Sequence, residues 1–169
     1  MLSTKYKNWK SVLSPTTCKQ CEELHGKIYL MDEYITPQPP PLHPNCKCVV
    51  VAIKAIYAGN ATNQENKGAD LWLKYYGVLP DYYISESEAK VLGYKRKKGN
   101  LAEVAPGKMI TRGIYMNDDG HLPSKPGRIW YEADINYSFG YRGTDRILYS
   151  NDGLIFVTYD HYKTFCEIV

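Results

Sequence analysis

Three short stretches in the C-terminal third of the chain hold a glutamate, a histidine and two arginines. They are Arg128-Ile-Trp-Tyr-Glu132-Ala-Asp134-Ile-Asn-Tyr137, Tyr141-Arg142-Gly-Thr-Asp145-Arg146-Ile-Leu-Tyr149 and Thr158-Tyr-Asp160-His161-Tyr162. Cutting a ribonucleotide chain without a metal requires this inventory. A carboxylate takes the proton of the 2′-hydroxyl, an imidazole gives one to the departing 5′-oxygen, and fixed guanidiniums hold the phosphate as its charge grows. No other part of the chain offers so complete a set.

Glu132 and Asp134 stand two apart on an expected strand, so both side chains face one side of a sheet. Arg142 and Arg146 are separated by a Gly-Thr-Asp turn signal and fall on neighbouring structure. By pattern alone, an ion-pair network on a sheet face fits these residues as well as a catalytic site does.

The elements that must position them follow from periodicity. Ala69–Tyr76 has helical spacing of apolar residues and stops at Gly77. Ser85 caps an acidic first turn of a second helix that reaches Leu92 and ends at Gly93. A short helix over 101–105 stops before Pro106. From Met109 onward the pattern changes to short runs at 109–115, 128–135, 145–150, 153–159 and 164–168, broken by Gly, Pro, Asn and Asp. Helices first and strands later predict an α+β fold, with N-terminal helices packed on an antiparallel β-sheet.

The chain has 169 residues and a net charge of +3, with 44% apolar and 23% charged residues, which is ordinary for a globular protein. Residues 1–61 hold seven Lys/Arg against four Asp/Glu, whereas 62–169 hold fourteen of each. A nucleic-acid binder usually shows a basic face, so a C-terminal nuclease must focus its field locally at a cleft. No apolar run is long enough to cross a membrane, and Met1–Lys10 is polar and basic, without the apolar core of a signal peptide.

From about Gly68 to Ile168 the chain resembles the barnase-like family of small bacterial guanyl-preferring ribonucleases. The resemblance rests on Leu79-Pro-Asp81, Lys98-Gly-Asn-Leu-Ala102, Val104-Ala-Pro-Gly-Lys108, Glu132-Ala-Asp-Ile-Asn-Tyr137, Asp145-Arg-Ile-Leu-Tyr-Ser150 and Asp160-His-Tyr-Lys-Thr-Phe165. It implies the microbial ribonuclease fold and RNA as substrate. The cut would come after guanosine, through a 2′,3′-cyclic phosphate, with no cofactor for catalysis. Glu132 is then the general base, His161 the general acid, and Arg142 and Arg146 hold the phosphate, with Asp134 fixing both arginines. Tyr162 would flank the substrate, though as one of sixteen tyrosines it fits ordinary packing too. The base-reading loop is Tyr115-Met-Asn117-Asp-Asp119-Gly120, where family members bind guanine with backbone groups and an acidic side chain. Asp119 fills that acidic position, one methylene shorter than the usual glutamate, while Asn-Asp-Asp-Gly alone is simply a good turn. Arg128 is counted among the substrate-binding candidates, and with Asp152 it also matches a structural ion pair of the family.

Two departures matter. Glu86 stands where the family carries a lysine near the scissile phosphate, and Asp118 where it carries an arginine beside the base loop. Each reverses a charge next to a polyanion. A nearby lysine from Lys95-Arg-Lys-Lys98 is a candidate to compensate, which the sequence by itself does not show.

Four of the five cysteines lie in the first 48 residues. Cys18-Lys-Gln-Cys21 is followed, after the stiff Pro37-Gln-Pro-Pro-Pro41, by His43-Pro-Asn-Cys46-Lys-Cys48. Paired thiolates with a second Cys/His cluster suit one structural zinc held by Cys18, Cys21, Cys46 and Cys48, with His43 as substitute ligand. Disulfides or free thiols are the competing readings. Lys47–Ile53 reads as a strand, and the small polar Ala58–Glu65 as a linker. The expected domains are 1–57, a Cys/His-rich segment; 58–65, the linker; and 66–169, the ribonuclease domain. Residues 7–53 also resemble the C-terminal end of phage head-morphogenesis (minor head) proteins, some of which carry toxin-like enzymatic domains after the head module.

The two resemblances together imply an endoribonuclease toxin or phage-associated effector, secreted or delivered without an evident signal peptide. Its partners would be RNA and a barstar-like or other dedicated immunity protein, with no membrane. The competing reading is a phage-derived structural or binding protein with a degenerate nuclease domain, since Glu86 and Asp118 depart from the pattern.

Overall fold

Trp9 and Ile110, each 0% exposed, anchor different apolar clusters, and the backbone of the computed structural model divides accordingly into two units. All residues 1–169 are described, except the side chain of Arg112. One unit comprises Met1–Ala55 with Asn117–Pro126, and the other Ile56–Met116 with Gly127–Val169.

In the first unit, strand β1 (Leu2–Lys10) pairs antiparallel with β2 (Ile28–Leu30) and with β3 (Val49–Ile56). Composition gave no hint of β1. It forms because Tyr6, Asn8 and Trp9 are buried while the lysines point outward, and a register shift between Leu2 and Lys7 accommodates the uneven pattern. The Ser3 hydroxyl accepts from the Lys5 and Tyr6 amides there, at 3.0 and 2.9 Å, and so satisfies donors that an irregular ladder leaves over. Helix α1 (Lys19–Leu24) follows, capped by Cys18, whose sulfur accepts from the Cys21 amide at 3.4 Å. Leu24 and Ile35 close over Trp9. The proline segment contains two cis prolyl bonds, at Thr36-Pro37 and Pro40-Pro41.

The second unit is built on strands β4 (Tyr83–Ser85), β5 (Met109–Tyr115), β6 (Trp130–Asp134), β7 (Arg146–Ser150), β8 (Ile155–Thr158) and β9 (Cys166–Ile168). They lie in the spatial order β9-β8-β7-β6-β5-β4. Every strand from β5 to β9 runs antiparallel to its neighbour, but β4 runs parallel to β5, so the sheet is mixed rather than wholly antiparallel. Helix α2 (Ala69–Tyr76) buries Ala69 and Leu73 against Ile147, Ile155 and Val157, and ends at Gly77, whose φ of 71° is the left-handed conformation that glycine adopts without strain. Helix α3 (Glu86–Val91) starts from a reciprocal Ser85/Glu88 capping box. Helix α4 (Leu101–Val104) adds Leu101 to the cluster of Ala89, Tyr94 and Ile110.

Residues 58–65, linker-like in composition, belong to this second unit. The carboxylate of Asp70 is wholly buried and accepts from the Gly59 amide at 2.7 Å, the Ala61 amide at 2.9 Å and the Thr62 hydroxyl at 2.9 Å. A buried charge needs such donors, and here they pin the segment.

Candidate active site

The site is built on β6 and β7. Antiparallel pairing sets Asp134 opposite Arg146 and Glu132 opposite Leu148, with Gly113 of β5 on the other side of Glu132. The two-residue spacing puts both carboxylates on one face. Both are buried, Glu132 at 4% and Asp134 at 2% exposure.

Asp134 receives two guanidiniums. Arg142 donates from Nε to Oδ2 at 2.5 Å and from its terminal nitrogen to Oδ1 at 2.7 Å, a bidentate fork. Arg146 lies with Nε 3.1 Å from Oδ1, and gives its terminal nitrogen to the Gly143 and Asp145 carbonyls at 2.8 and 2.7 Å. Burial works against the charged Arg142 guanidinium, yet Asp134 more than offsets it and raises its pKa above the usual value. One carboxylate facing two guanidiniums leaves this cluster with a net positive charge, in low-dielectric surroundings where charge carries furthest.

His161 and Tyr162 sit in the turn after β8. Both have left-handed backbones, φ 57° and 69°, sparsely populated for side chains of this kind. The turn is held by Asp160 and Thr158. Asp160 accepts from the Lys163 amide at 3.1 Å, the Thr164 amide at 2.9 Å and the Thr164 hydroxyl at 2.6 Å. The buried Thr158 hydroxyl donates to Asp160 at 2.9 Å and accepts from the Tyr162 amide at 3.0 Å. Burial opposes the charge on Asp160, but these donors keep its pKa below the ordinary value. His161 is thereby exposed, and its ring lies 4.8 Å from that of Tyr162.

Tyr162 reaches further than its sequence position suggested. Its hydroxyl donates to Glu132 Oε2 at 2.5 Å, and its ring stacks on Tyr115 with centroids 5.4 Å apart and planes 13° from parallel. One side chain thus orients the carboxylate and extends an aromatic platform. Sequence alone marked it as a stacking candidate, and the pairing with Glu132 left no signal there.

Glu86 opens helix α3 beside the arginines. It is paired with Arg96, with Lys90 at 3.0 Å, and with a terminal nitrogen of Arg142 at 3.9 Å. The bond from Arg96 is the main reason its carboxyl is held down to about 2. Arg96 therefore stands at the site on a tether, a cation from the basic run Lys95–Lys98. An open cleft of about 690 Å³ is lined by Glu86, Lys90, Lys95, Arg96, Lys97 and Lys98.

The remaining candidates fall elsewhere. The Arg128 guanidinium is taken up by Asp152, with contacts of 2.8, 2.9 and 3.2 Å, and lies over the Trp130 ring at 6.0 Å. Asn117, at φ 52°, spends its side chain on its own loop. It donates to the Leu122 carbonyl at 2.9 Å and to Ser124 at 3.1 Å, and accepts from the Leu122 amide at 3.0 Å. Asp118 and Asp119 are exposed at the tip of that loop.

In the first unit, His43 Nε2 lies 3.2 Å from the Cys18 sulfur and 3.3 Å from that of Cys21, and the Cys21 and Cys46 sulfurs are 3.8 Å apart. Cys48 donates to the Ser11 hydroxyl at 3.3 Å. Two triads that could hold a metal share Cys21: one with Cys18 and His43, the other with Cys46 and Cys48. His43, the substitute in the sequence reading, stands as close to the thiols as any cysteine does.

Two protein families match different parts of the chain. The ribonuclease family matches residues 72–169, and a family described as phage Mu protein F-like matches residues 2–51. A ribonuclease of Heyndrickxia coagulans is 55% identical over 97 residues, covering 57% of this chain and 89% of that protein. Ribonucleases of Bacillus intermedius and Bacillus pumilus are likewise 55% identical over 97 residues, but there the match spans only 60% of their length. The chain belongs to the ribonuclease family.

Proposed function

We propose that the chain is an endoribonuclease that cuts single-stranded RNA after guanosine by acid–base transphosphorylation. Glu132 takes the 2′-hydroxyl proton, the freed oxygen attacks the adjacent phosphorus, and a 2′,3′-cyclic phosphate forms as His161 protonates the departing 5′-oxygen. Arg142 and Arg146 hold the phosphate as negative charge builds on its oxygens. The observation that carries this reading is the pair of guanidiniums fixed by Asp134 on the same strand face as the buried Glu132. Glu132 stands beside that network with the Tyr162 phenol on its Oε2, a contact that orients the carboxylate from the turn carrying His161.

Guanosine preference rests on Asp119 at the tip of the 115–120 loop and on the family resemblance. Tyr115, stacked on Tyr162, offers a flat surface for a base. Asn117 shapes the loop instead of reading the base directly.

The deciding experiment is cleavage of RNA of defined sequence by the full chain, with products separated and Glu132→Gln and His161→Ala as controls. Fragments ending in guanosine 2′,3′-cyclic phosphate are expected, without any need for magnesium. Cleavage that survives both substitutions, or requires added magnesium, overturns the mechanism. A second reading, a phage-derived binding module with a weakened nuclease, draws on Glu86 lying 3.9 Å from the Arg142 guanidinium. RNA binding without turnover would favour it.

An active enzyme of this kind destroys its own cell's RNA, which supports a toxin role and a dedicated acidic inhibitor. The exposed His161 and the positive field of the two largely buried arginines mark the face such a protein would cover with carboxylates. A generic barstar-like inhibitor and the product of the neighbouring gene should differ in affinity, because Glu86 and Asp118 repel carboxylates aimed at the usual cations. Equal, tight inhibition by both defeats that specificity. Among the described residues, no helix is long and apolar enough to cross a membrane.

A further inference from the structure

We infer that Cys18, Cys21, His43 and Cys46 bind one tetrahedral zinc-class ion, and that this ion secures the segment on which the base-reading loop rests. Two zinc-bound sulfurs, each about 2.3 Å from the metal, are separated by about 3.8 Å, and a sulfur and an imidazole nitrogen by about 3.6 Å. The Cys21 and Cys46 sulfurs are 3.8 Å apart, and His43 Nε2 is 3.2 and 3.3 Å from the Cys18 and Cys21 sulfurs. Cys46 belongs to the second triad, joined to the first through Cys21, so the ion closes the tetrahedron by drawing the Cys46 sulfur toward Cys18 and His43. A disulfide would need sulfurs about 2.05 Å apart.

His43 carries the second argument. Its Nδ1 lies 2.9 Å from the Pro44 carbonyl, an oxygen that can only accept, so the ring proton belongs on Nδ1. That leaves the Nε2 lone pair directed at two thiols. Imidazole ligands are oriented in this manner when the far nitrogen donates to a backbone carbonyl. The fourth place falls to Cys46 rather than Cys48, because the Cys48 thiol is engaged by Ser11, which also accepts from the Trp9 ring nitrogen at 3.0 Å and donates to the Cys21 carbonyl at 2.5 Å. Three thiolates and one imidazole are a soft tetrahedral set, suited to zinc rather than to magnesium or calcium. On binding, each thiol proton leaves to solvent as its sulfur takes the metal.

The consequence lies along the chain. Helix α1 carries Cys21, and four residues beyond its end the Ile28 amide donates to the His121 carbonyl at 2.8 Å. Asn117–Pro126 clusters with Met1–Ala55 as one unit. Helix α1 has only six residues and cannot hold its own register. The metal fixes it from one end, and the Ile28–His121 bond passes that order to the loop.

The test uses the full chain, produced with zinc and purified under reducing conditions. Elemental analysis should give one zinc per chain, and cobalt substitution should yield the intense d–d and thiolate charge-transfer bands of a tetrahedral thiolate site. Cys21→Ser, His43→Ala and Cys46→Ser should each lower metal content at least ten-fold, whereas Cys48→Ser and the ligand-preserving His43→Cys should retain it. Stripping the metal should speed amide exchange at Ile28 and through residues 117–126, with little change across β6 and β7. Metal-free protein, thiols that resist alkylation until reduced, or equal loss in Cys46→Ser and Cys48→Ser would overturn the assignment. Unchanged exchange in 117–126 would overturn the coupling. None of these readouts depends on RNA cleavage, so they can fail while the proposed reaction stands.

Discussion

At the scale of single residues, two carboxylates on one strand face are assigned to different work. Asp134 is surrounded by cations, and removing it strands the buried Arg146 guanidinium and the half-buried Arg142 one. Breaking a buried pair costs about 3–5 kcal/mol, so Asp134→Ala should lower the melting temperature substantially and abolish cleavage. Glu132→Gln keeps shape and burial but cannot accept the ribose proton. We expect kcat/KM to fall about 10²–10⁴-fold with a far smaller change in melting temperature; His161→Ala should do the same. Matching losses of stability in Asp134→Ala and Glu132→Gln would mean that both carboxylates are structural.

Glu86 tests the local field. Because it holds Arg96 and Lys90, a simple swap to the family's lysine would crowd a third cation against them, and Glu86→Gln is the cleaner probe. It removes one negative charge and frees Arg96 for the phosphate chain. The log–log salt dependence of kcat/KM should steepen by up to about 0.7, the increment for one further phosphate contact on a single strand. An identical salt slope would show that Arg96 already meets RNA while bound to Glu86. The same residue sets an acid limb. Its folded-state carboxyl is held down to about 2, against about 4.3 for a free glutamate. A depressed pKa stabilises above the unfolded value and loses that contribution as pH falls through the folded one. Wild type should therefore lose more stability than Glu86→Gln between about pH 4.3 and 2. Parallel acid-unfolding curves would remove Glu86 from the stability account.

At the scale of elements, the turn after β8 is the part that chemistry depends on most and packing supports least. Two adjacent residues in the left-handed region persist only where surrounding bonds over-determine them, and Asp160 supplies most of those bonds. Asp160→Ala should lower kcat at least ten-fold by releasing His161 and Tyr162, with base preference unchanged. A shift in preference without loss of rate would place the turn's role in specificity instead. Helix and strand positions in the second unit were legible because their signals are local: Gly77 as a stop, the Ser85/Glu88 cap, and the short runs of β6 to β9 broken by Gly, Asn and Asp. Glu132, His161, Arg142 and Arg146 were legible as residue types whose meaning came from resemblance. The bond between Tyr162 and Glu132, thirty positions apart, was not, since a phenol's partner depends on the turn that aims it. Strand β1 stayed hidden because its buried set includes the polar Ser3 and Asn8, and the local hydrogen bonds to the Ser3 hydroxyl are not registered by hydropathy. The parallel placement of β4 escaped notice because three residues carry too little pattern.

At the scale of the molecule, the boundary between the two units is a matter of where the chain is cut. The small polar residues of Ala58–Glu65 suggest a dispensable tether, and a fragment beginning at 62 looks sufficient by composition. Asp70 argues otherwise. Its buried carboxylate is satisfied by the Gly59 and Ala61 amides as well as by Thr62, Ala61 is itself 4% exposed in the main core, and the Ala58 amide donates to the Val169 carbonyl at 2.9 Å. A fragment starting at 62 lacks both amides and leaves the buried carboxylate, of these three donors, only the Thr62 hydroxyl. Hydrogen bonds to a charged group contribute about 1.5–3 kcal/mol each, so losing two should remove about 3–6 kcal/mol, a large share of the stability of a domain this size. Fragments 56–169 and 62–169 should therefore differ sharply in denaturant midpoint. Asp70→Asn should narrow the gap, because a neutral amide left unpaired is less costly than a carboxylate. Superimposable unfolding curves for the two fragments would restore 58–65 to the role of a linker and place the anchor of Asp70 elsewhere.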